Sequence, residues 1–338
     1  MRSFLFILGL GAVLCIALLA PAFAESLPRL SADSSKVSVS GFSSGAFMAI
    51  QYDVAFSAST IGAGIIAGGP YACAVANEGG VASCLEAQPQ PPNGEASVAM
   101  AKAFEQRGKI DSLNYLKRQK IYLFSGTKDT VVKRSVVDST YEFYRDAGIP
   151  PANIEYIDDL PASHAFIAPG VGNAVCDADG VPFINQCELH GRSYDQPEAI
   201  LTQIYGHLRP KAAALSAQIV PFDQREFFGT KFIGLAKTGY VYIPADCRRK
   251  KCAVHVVFHG CLQNAAAVGN EVYSKLGYNN WADSNQIIML YPQTDKSMLP
   301  FNPPGCWDWW GYTGLDFETQ SGAQLAAVHA MVKRLTLP

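Results

Sequence analysis

Past residue 24 this 338-residue sequence has no run of 18 or more apolar residues, so nothing beyond that point is expected to cross a bilayer. Neither charge sign is in clear excess: 27 basic residues face 29 acidic ones. Without an electrostatic footprint, nucleic acid and anionic lipid are poor partners, and the expected substrate is neutral. The cysteines include no Cys-x-x-Cys pair and no histidine cluster accompanies them, so a zinc site has no support from spacing and no metal or organic cofactor is expected. No internal repeat, low-complexity tract or Ser/Thr/Pro linker divides the chain. One domain over residues 25–338 is the simplest organisation.

What is present begins with a leader. "MRSFLFILGLGAVLCIALLAPAFA" has one early charge at Arg2, an apolar run, and small residues at Ala22 and Ala24, the pattern of a secretory signal peptide over residues 1–24. Cys15 falls inside that run and follows Leu14, where a lipoprotein cleavage box needs a small residue, so it is read as part of the leader. Eight cysteines follow: Cys73, Cys84, Cys176, Cys187, Cys247, Cys252, Cys261 and Cys306. An even number in an exported chain favours disulfides, and pairing of sequential neighbours is expected, with Cys247 and Cys252 closing the tight "RRKK" connection.

The pattern of elements reads as α/β. "KVSVSGF" alternates as a strand and "GAFMAIQYDVAF" has helical spacing. "IGAGIIAGG" and "KIYLFSG" are short apolar runs typical of buried parallel strands. Helices are expected around Ala96–Gln106 and over "VVKRSVVDSTYEFYRDAG", and "IEYID" is a further short strand. Such alternation implies a mostly parallel central sheet with helices on both faces. Residues 168–197 form a polar insertion, and "PEAILTQIYGHL" a helix. In the second half "IVPFDQREFF" and "GYVYIPADC" are expected to pair as an antiparallel ribbon. They are followed by strand "CAVHVVFHGC", helix "AAAVGNEVYSKLGYNNWADSN", strand "QIIMLYPQ" and a last helix.

Gly41-Phe42-Ser43-Ser44-Gly45 is a GxSxG between a strand and a helix, the context of a nucleophile elbow. A lone GxSxG is weak evidence, since small residues are common in tight turns. Two further residues strengthen it. Asp129 follows the strand "KIYLF", and His164 in "LPASHAF" follows "IEYID", so a serine, acid, base order holds along the chain. Asp129 also suits a turn or helix cap. His255, within a strand, reads as a packed core histidine, and His329 on the last helix as structural. The oxyanion needs two backbone N–H groups: that of Ser44, and one from a turn after another strand, for which Cys261 in "VVFHGCLQN" is the candidate.

One difficulty is order. Several strands normally precede such an elbow, whereas almost nothing precedes Ser43, and the oxyanion strand comes after the histidine. A circular permutation resolves this, because joining the C-terminal helix to "SSKVSVSGFSSG" restores the usual order. Domain termini commonly lie close together at the surface, which makes such rearrangement tolerable.

"FHGCLQNAAAVG", "LYPQ" and "GCWDWWGY" resemble the PHB depolymerase-type esterases of the α/β-hydrolase superfamily. "SHAF" with the segment "CDADGVPFINQCELHGRSYDQPEAILTQIYGHL" is similar to their region after the catalytic histidine. The early serine is similar to the circularly permuted, single-domain poly(3-hydroxybutyrate) depolymerases. The resemblance covers most of the chain and implies Ser43, Asp129 and His164 as the triad, with Ser44 and Cys261 as the oxyanion hole. It also places the tryptophan loop near the cleft, with Trp307 as the expected wall and Cys261–Cys306 as a tie between the two loops. The implied activity is secreted, cofactor-free hydrolysis of 3-hydroxybutyrate polyester or oligoester by a monomer. Two other readings remain open at this point: a feruloyl or acetyl-xylan esterase on the same fold, and a non-catalytic secreted binding protein.

Overall fold

The computed structural model describes residues 25–170 and 174–338. The leader expected over residues 1–24 lies outside the described residues. Eight strands form the central sheet: β1 (Val37–Phe42), β2 (Thr60–Ile66), β3 (Lys120–Phe124), β4 (Ile154–Ile157), β5 (Ile219–Asp223), β6 (Thr238–Tyr242), β7 (Ala253–Phe258) and β8 (Ile287–Tyr291). Their spatial order is β5-β6-β8-β7-β1-β2-β3-β4. All neighbours are parallel except β6, which runs antiparallel to both β5 and β8.

That order places the strand entering the elbow at the centre of the sheet, between β7 from the far end of the chain and β2. Residues from the first half build one side of the sheet and residues from the second half the other, as the permuted reading requires. The junction is visible too. Leu30 and Ala32 donate backbone hydrogen bonds to the Leu335 carbonyl, and Ser31 to that of Leu337, so the segment entering β1 lies against the end of the last helix.

The alternation in β1 has an unexpected origin. All six of its residues are buried, including Ser38 and Ser40. Their hydroxyls bond the two ring nitrogens of His255 on neighbouring β7, at 2.7 and 2.8 Å, and continue to Tyr205 and Tyr278. Buried polar groups persist when they are paired, and this chain of five side chains pairs them across the middle of the sheet. Burial pushes the His255 pKa down to about 3, so the ring is neutral, the packed histidine expected of a strand position.

Helices α1 (Ser44–Ala55), α2 (Gly80–Glu86), α3 (Gly94–Gln106), α4 (Arg134–Asp146), α5 (Gln196–Tyr205), α6 (Tyr278–Asn285) and α7 (Ala323–Thr336) pack around the sheet. Helix α1 is buried along its whole length, which explains its apolar sequence all round. The single helix expected over 265–285 is instead interrupted, because Gly269 and Gly277 adopt φ of 64° and 94°, and only α6 is a regular run of two turns. The polar insertion forms a small sheet from 166–167, 174–175 and 184–186 and a hairpin of 188–189 with 192–193. The cysteines pair as sequential neighbours: Cys73–Cys84, Cys176–Cys187, Cys247–Cys252 and Cys261–Cys306.

Candidate active site

Ser43 sits between the end of β1 and the start of α1 with φ 55° and ψ −123°, a backbone conformation that non-glycine residues rarely adopt. The turn is held by the Ser43 N–H donating to the Ile66 carbonyl at 2.9 Å and by Ala46 N–H donating back to the Ser43 carbonyl at 2.8 Å. Both flanking glycines are required by space. A Cβ on Gly41 would lie 2.0 Å from the Gly45 carbonyl oxygen, and one on Gly45 would lie 2.2 Å from that of Phe258. The motif is therefore an elbow wedged against β7.

Ser43, His164 and Asp129 form one hydrogen-bonded line. His164 Nε2 is 2.9 Å from Ser43 Oγ, and His164 Nδ1 is 2.8 Å from Asp129 Oδ2. All three are buried or nearly so. The second carboxylate oxygen of Asp129 accepts the N–H groups of Val131 and Val132 at 2.8 and 2.9 Å, so the turn-capping role and the base-orienting position coexist in one side chain. The loops that carry the acid and the base run side by side: Thr127 and Lys128 donate to the Leu160 and Ala162 carbonyls. Gly126 is small where a Cβ would meet Ala162 O at 2.2 Å. The polar insertion braces the base. Ser163, next to His164, bonds the Cys176 and Ala178 carbonyls, and Asn185 reaches the Ser163 hydroxyl and both carbonyls.

Ser44 and Cys261 come together across the sheet and line the same cavity as Ser43. Among the described residues neither backbone N–H has an acceptor within the protein. A line of this kind can pass the serine proton to the imidazole, while two spare N–H groups nearby can receive a developing oxyanion.

The cavity at this centre has a volume of about 380 Å³, and apart from Ser43, Ser44 and His164 its lining side chains are apolar or disulfide-bonded. Phe47, one turn into α1, stacks on Trp309 at 4.2 Å, and Trp310, Phe183, Leu85, Val131 and Leu262 complete the walls. Trp307 is a correction to the sequence reading. It is fully buried, packs edge-on against Phe258 at 5.0 Å and beside His259, and does not line the cavity. The cause is Asp308, a buried carboxylate that accepts the N–H groups of Trp310, Gly311, Tyr312 and Thr313. That turn sends Trp307 into the core and presents Trp309 and Trp310 to the site. Of the walls the sequence reading passed over, Phe47 had a signal, four residues after Ser43 on the helix that follows it; Phe183 and Leu262 had none.

No family model matches the chain. A curated poly(3-hydroxybutyrate) depolymerase of Delftia acidovorans is 39% identical over 322 residues, covering 93% of this chain and 62% of that protein. A polyhydroxybutyrate depolymerase of Talaromyces funiculosus is 34% identical over 330 residues, covering 92% of this chain and 93% of its own length. The chain belongs to the poly(3-hydroxybutyrate) depolymerase family. It spans just under two thirds of the length of the Delftia depolymerase and nearly all of the fungal one. Two solved depolymerase structures superpose with TM-scores of 0.84 at 33% identity, each covering 92% of this chain and 98% of that one. One is from Penicillium funiculosum and the other is a serine-to-alanine variant complexed with an R3HB trimer. The α/β-hydrolase architecture is thus shared by this chain and its depolymerase relatives.

Proposed function

We propose that the chain is a secreted serine esterase that hydrolyses the ester bonds of poly(3-hydroxybutyrate) or its oligomers. The observation that carries this reading is the Ser43–His164–Asp129 line opening into an apolar, tryptophan-walled cavity. In the reaction His164 takes the proton of Ser43 as its oxygen attacks the ester carbonyl, and Asp129 holds the imidazole tautomer and stabilises its charged form. The N–H groups of Ser44 and Cys261 bind the oxyanion. Collapse releases the alcohol end of the substrate, which takes the proton from His164. Water activated by His164 then frees the 3-hydroxyacyl group from Ser43. No step calls for a metal or cofactor.

The chemistry of the walls favours polyester over the sugar esters of a feruloyl or acetyl-xylan esterase, since a sugar needs hydrogen-bonding side chains that this cavity does not offer. In this reading residues 25–338 act as one monomeric catalytic domain that adsorbs through its own catalytic face. A hairpin at Ser297–Asn302 fits that role. Its tip exposes Met298, Leu299 and Phe301, with Leu299 at 91%, and its base reaches the site through the Leu262 N–H to the Pro304 carbonyl and through Cys306. The four disulfides suit an extracellular or periplasmic compartment.

Clearing of a PHB suspension by the wild type and not by Ser43→Ala is the expected result. No clearing by either, with hydrolysis of feruloyl or acetyl esters, would overturn the substrate; no hydrolysis of any ester would overturn the enzyme. A Met298→Ser/Leu299→Ser/Phe301→Ser variant should lose adsorption to PHB film while hydrolysing soluble oligomers normally.

A further inference from the structure

In the turn that carries the proposed second oxyanion donor, the N–H groups on either side of that donor are all held. The Gly260 N–H donates to Gln263 Oε1 at 2.7 Å, the Gly260 carbonyl lies 2.7 Å from His259 Nδ1 and also accepts the Gln263 N–H at a longer 3.2 Å, and the Leu262 N–H donates to Pro304 O at 2.8 Å. Of the N–H groups from Gly260 to Gln263, that of Cys261 alone has no acceptor among the described residues. In a trans peptide the carbonyl of residue 260 and the N–H of residue 261 point in opposite directions, so whatever fixes the Gly260 carbonyl also aims the Cys261 N–H.

The proton on the His259 ring follows from its partners. Nε2 lies 3.1 Å from the Thr294 backbone N–H, which can only donate, so Nε2 accepts. Nδ1 then carries the proton and donates to the Gly260 carbonyl. The ring is fully buried, and burial pushes its pKa down to about 4, so it stays neutral. Thr294 is itself anchored, its hydroxyl donating to the Gly305 carbonyl at 2.6 Å, one residue before the Cys261–Cys306 bridge. Gln263 has a second contact as well. Its amide nitrogen donates to the Pro182 carbonyl at 2.7 Å, next to the cavity wall Phe183.

We infer that His259 is a positioning residue for the oxyanion hole: its Nδ1–H, the shorter of the two hydrogen bonds to the Gly260 carbonyl, locks the Gly260–Cys261 peptide plane so that the Cys261 N–H faces the Ser43 tetrahedral centre, with the Gln263 N–H supporting the same carbonyl and the Gln263 side chain holding the Gly260 N–H. The inference rests on the proposed triad chemistry and goes beyond it, because His259 does not line the cavity and takes no part in the proposed proton relay.

The side chain of asparagine carries an N–H donor where histidine has Nδ1, whereas glutamine places its amide where histidine has Nε2. On a soluble oligoester His259→Gln should lower kcat by roughly tenfold to a hundredfold, short of the 10²–10³ that follows outright loss of an oxyanion donor, with KM nearly unchanged. His259→Asn should keep most of the rate. Phosphonate inactivation, which places an oxygen in the same hole, should slow in step with kcat. Gln263→Ala should show a smaller loss of the same kind. In the wild type, ¹⁵N spectra of the imidazoles should show His259 as the neutral Nδ1–H tautomer.

An Nε2–H tautomer would overturn the proposal, and that result does not depend on any variant folding. So would a folded His259→Gln with wild-type kcat, or equal losses in the Asn and Gln variants. Activity in the wild type that disappears in Ser43→Ala keeps these outcomes separate from failure of the triad assignment itself.

Discussion

The two sides of the central sheet divide the labour. The β1–β4 side, from the first half of the chain, brings the line Ser43, Asp129 and His164, each beyond the C-terminal end of a strand: Ser43 directly after β1, and Asp129 and His164 on the loops that follow β3 and β4. The β5–β8 side brings the groups that shape what those residues act on: the Cys261 turn, the tryptophan loop and the apolar hairpin. The first set consists of reactive side chains with local signatures. The second works through backbone directions and loop shapes, which depend on partners far away in sequence.

The strongest test of the division removes a member of the first set. Ser43→Ala should reduce ester hydrolysis by about 10⁴-fold or more with the fold intact, and Asp129→Asn by about 10⁴-fold, measured as kcat on a soluble oligoester. Equal retention of activity in both would end the distinction between the two sides.

Within the second set the two tryptophans should separate by kind of effect. Trp307→Ala empties a core site and should cost about 3–5 kcal/mol of stability in denaturant unfolding. Trp307→Phe should be far milder, since the buried indole N–H has no partner among the described residues. Trp309→Ala should leave stability nearer the wild type and raise KM, because it opens the wall against which Phe47 stacks.

Disulfide removal sharpens the same comparison. Replacing both members of Cys261–Cys306, which are 45 residues apart, should cost about 4 kcal/mol on loop entropy, against about 2 kcal/mol for Cys247–Cys252, which are 5 apart. Only the former loss should be accompanied by a fall in kcat, because only that bridge includes the proposed oxyanion donor.

A pH-dependent effect on stability lies inside the first half. Asp53 on α1 is fully buried, with one oxygen accepting from Tyr144 of α4 and the other unpartnered among the described residues. Burial raises its pKa to about 7. The folded chain therefore keeps a proton that the unfolded chain has released, and Asp53 makes stability fall as pH rises from about 4 to about 7, with no further change above that. The buried His255, His259 and His329, whose pKa values are lowered, act in the opposite sense across the same range. The difference between wild type and Asp53→Asn isolates the carboxyl: the variant should gain stability on the order of a few kcal/mol at pH 8 relative to pH 4.

Much of this was legible before any coordinates. Strand and helix alternation, the elbow between its two glycines, and an acid and a base placed after successive strands are periodicity and chemistry that a linear chain displays locally. Disulfide pairing by neighbours also emerged as expected, since short loops close most readily. The interrupted helix at 265–285 was not legible, because glycine spacing alone does not say which residues adopt positive φ.

The order of the strands, though inferable from a displaced oxyanion turn, became a fact only when β1 was seen between β2 and β7. Which tryptophans line the cavity was decided by Asp308, whose carboxylate turns the backbone so that neighbours in sequence face opposite environments. The Gly260 peptide groups beside Cys261 are held by His259 and Gln263, and the neutrality of the buried histidines is set by desolvation. Sequence by itself determined which reactive groups this chain possesses and the sheet that could present them. Tertiary structure alone decided which backbone groups meet and which faces stay dry, because local turns such as those at Gly260 and Asp308 are brought against Ser44 by packing between segments more than two hundred positions apart.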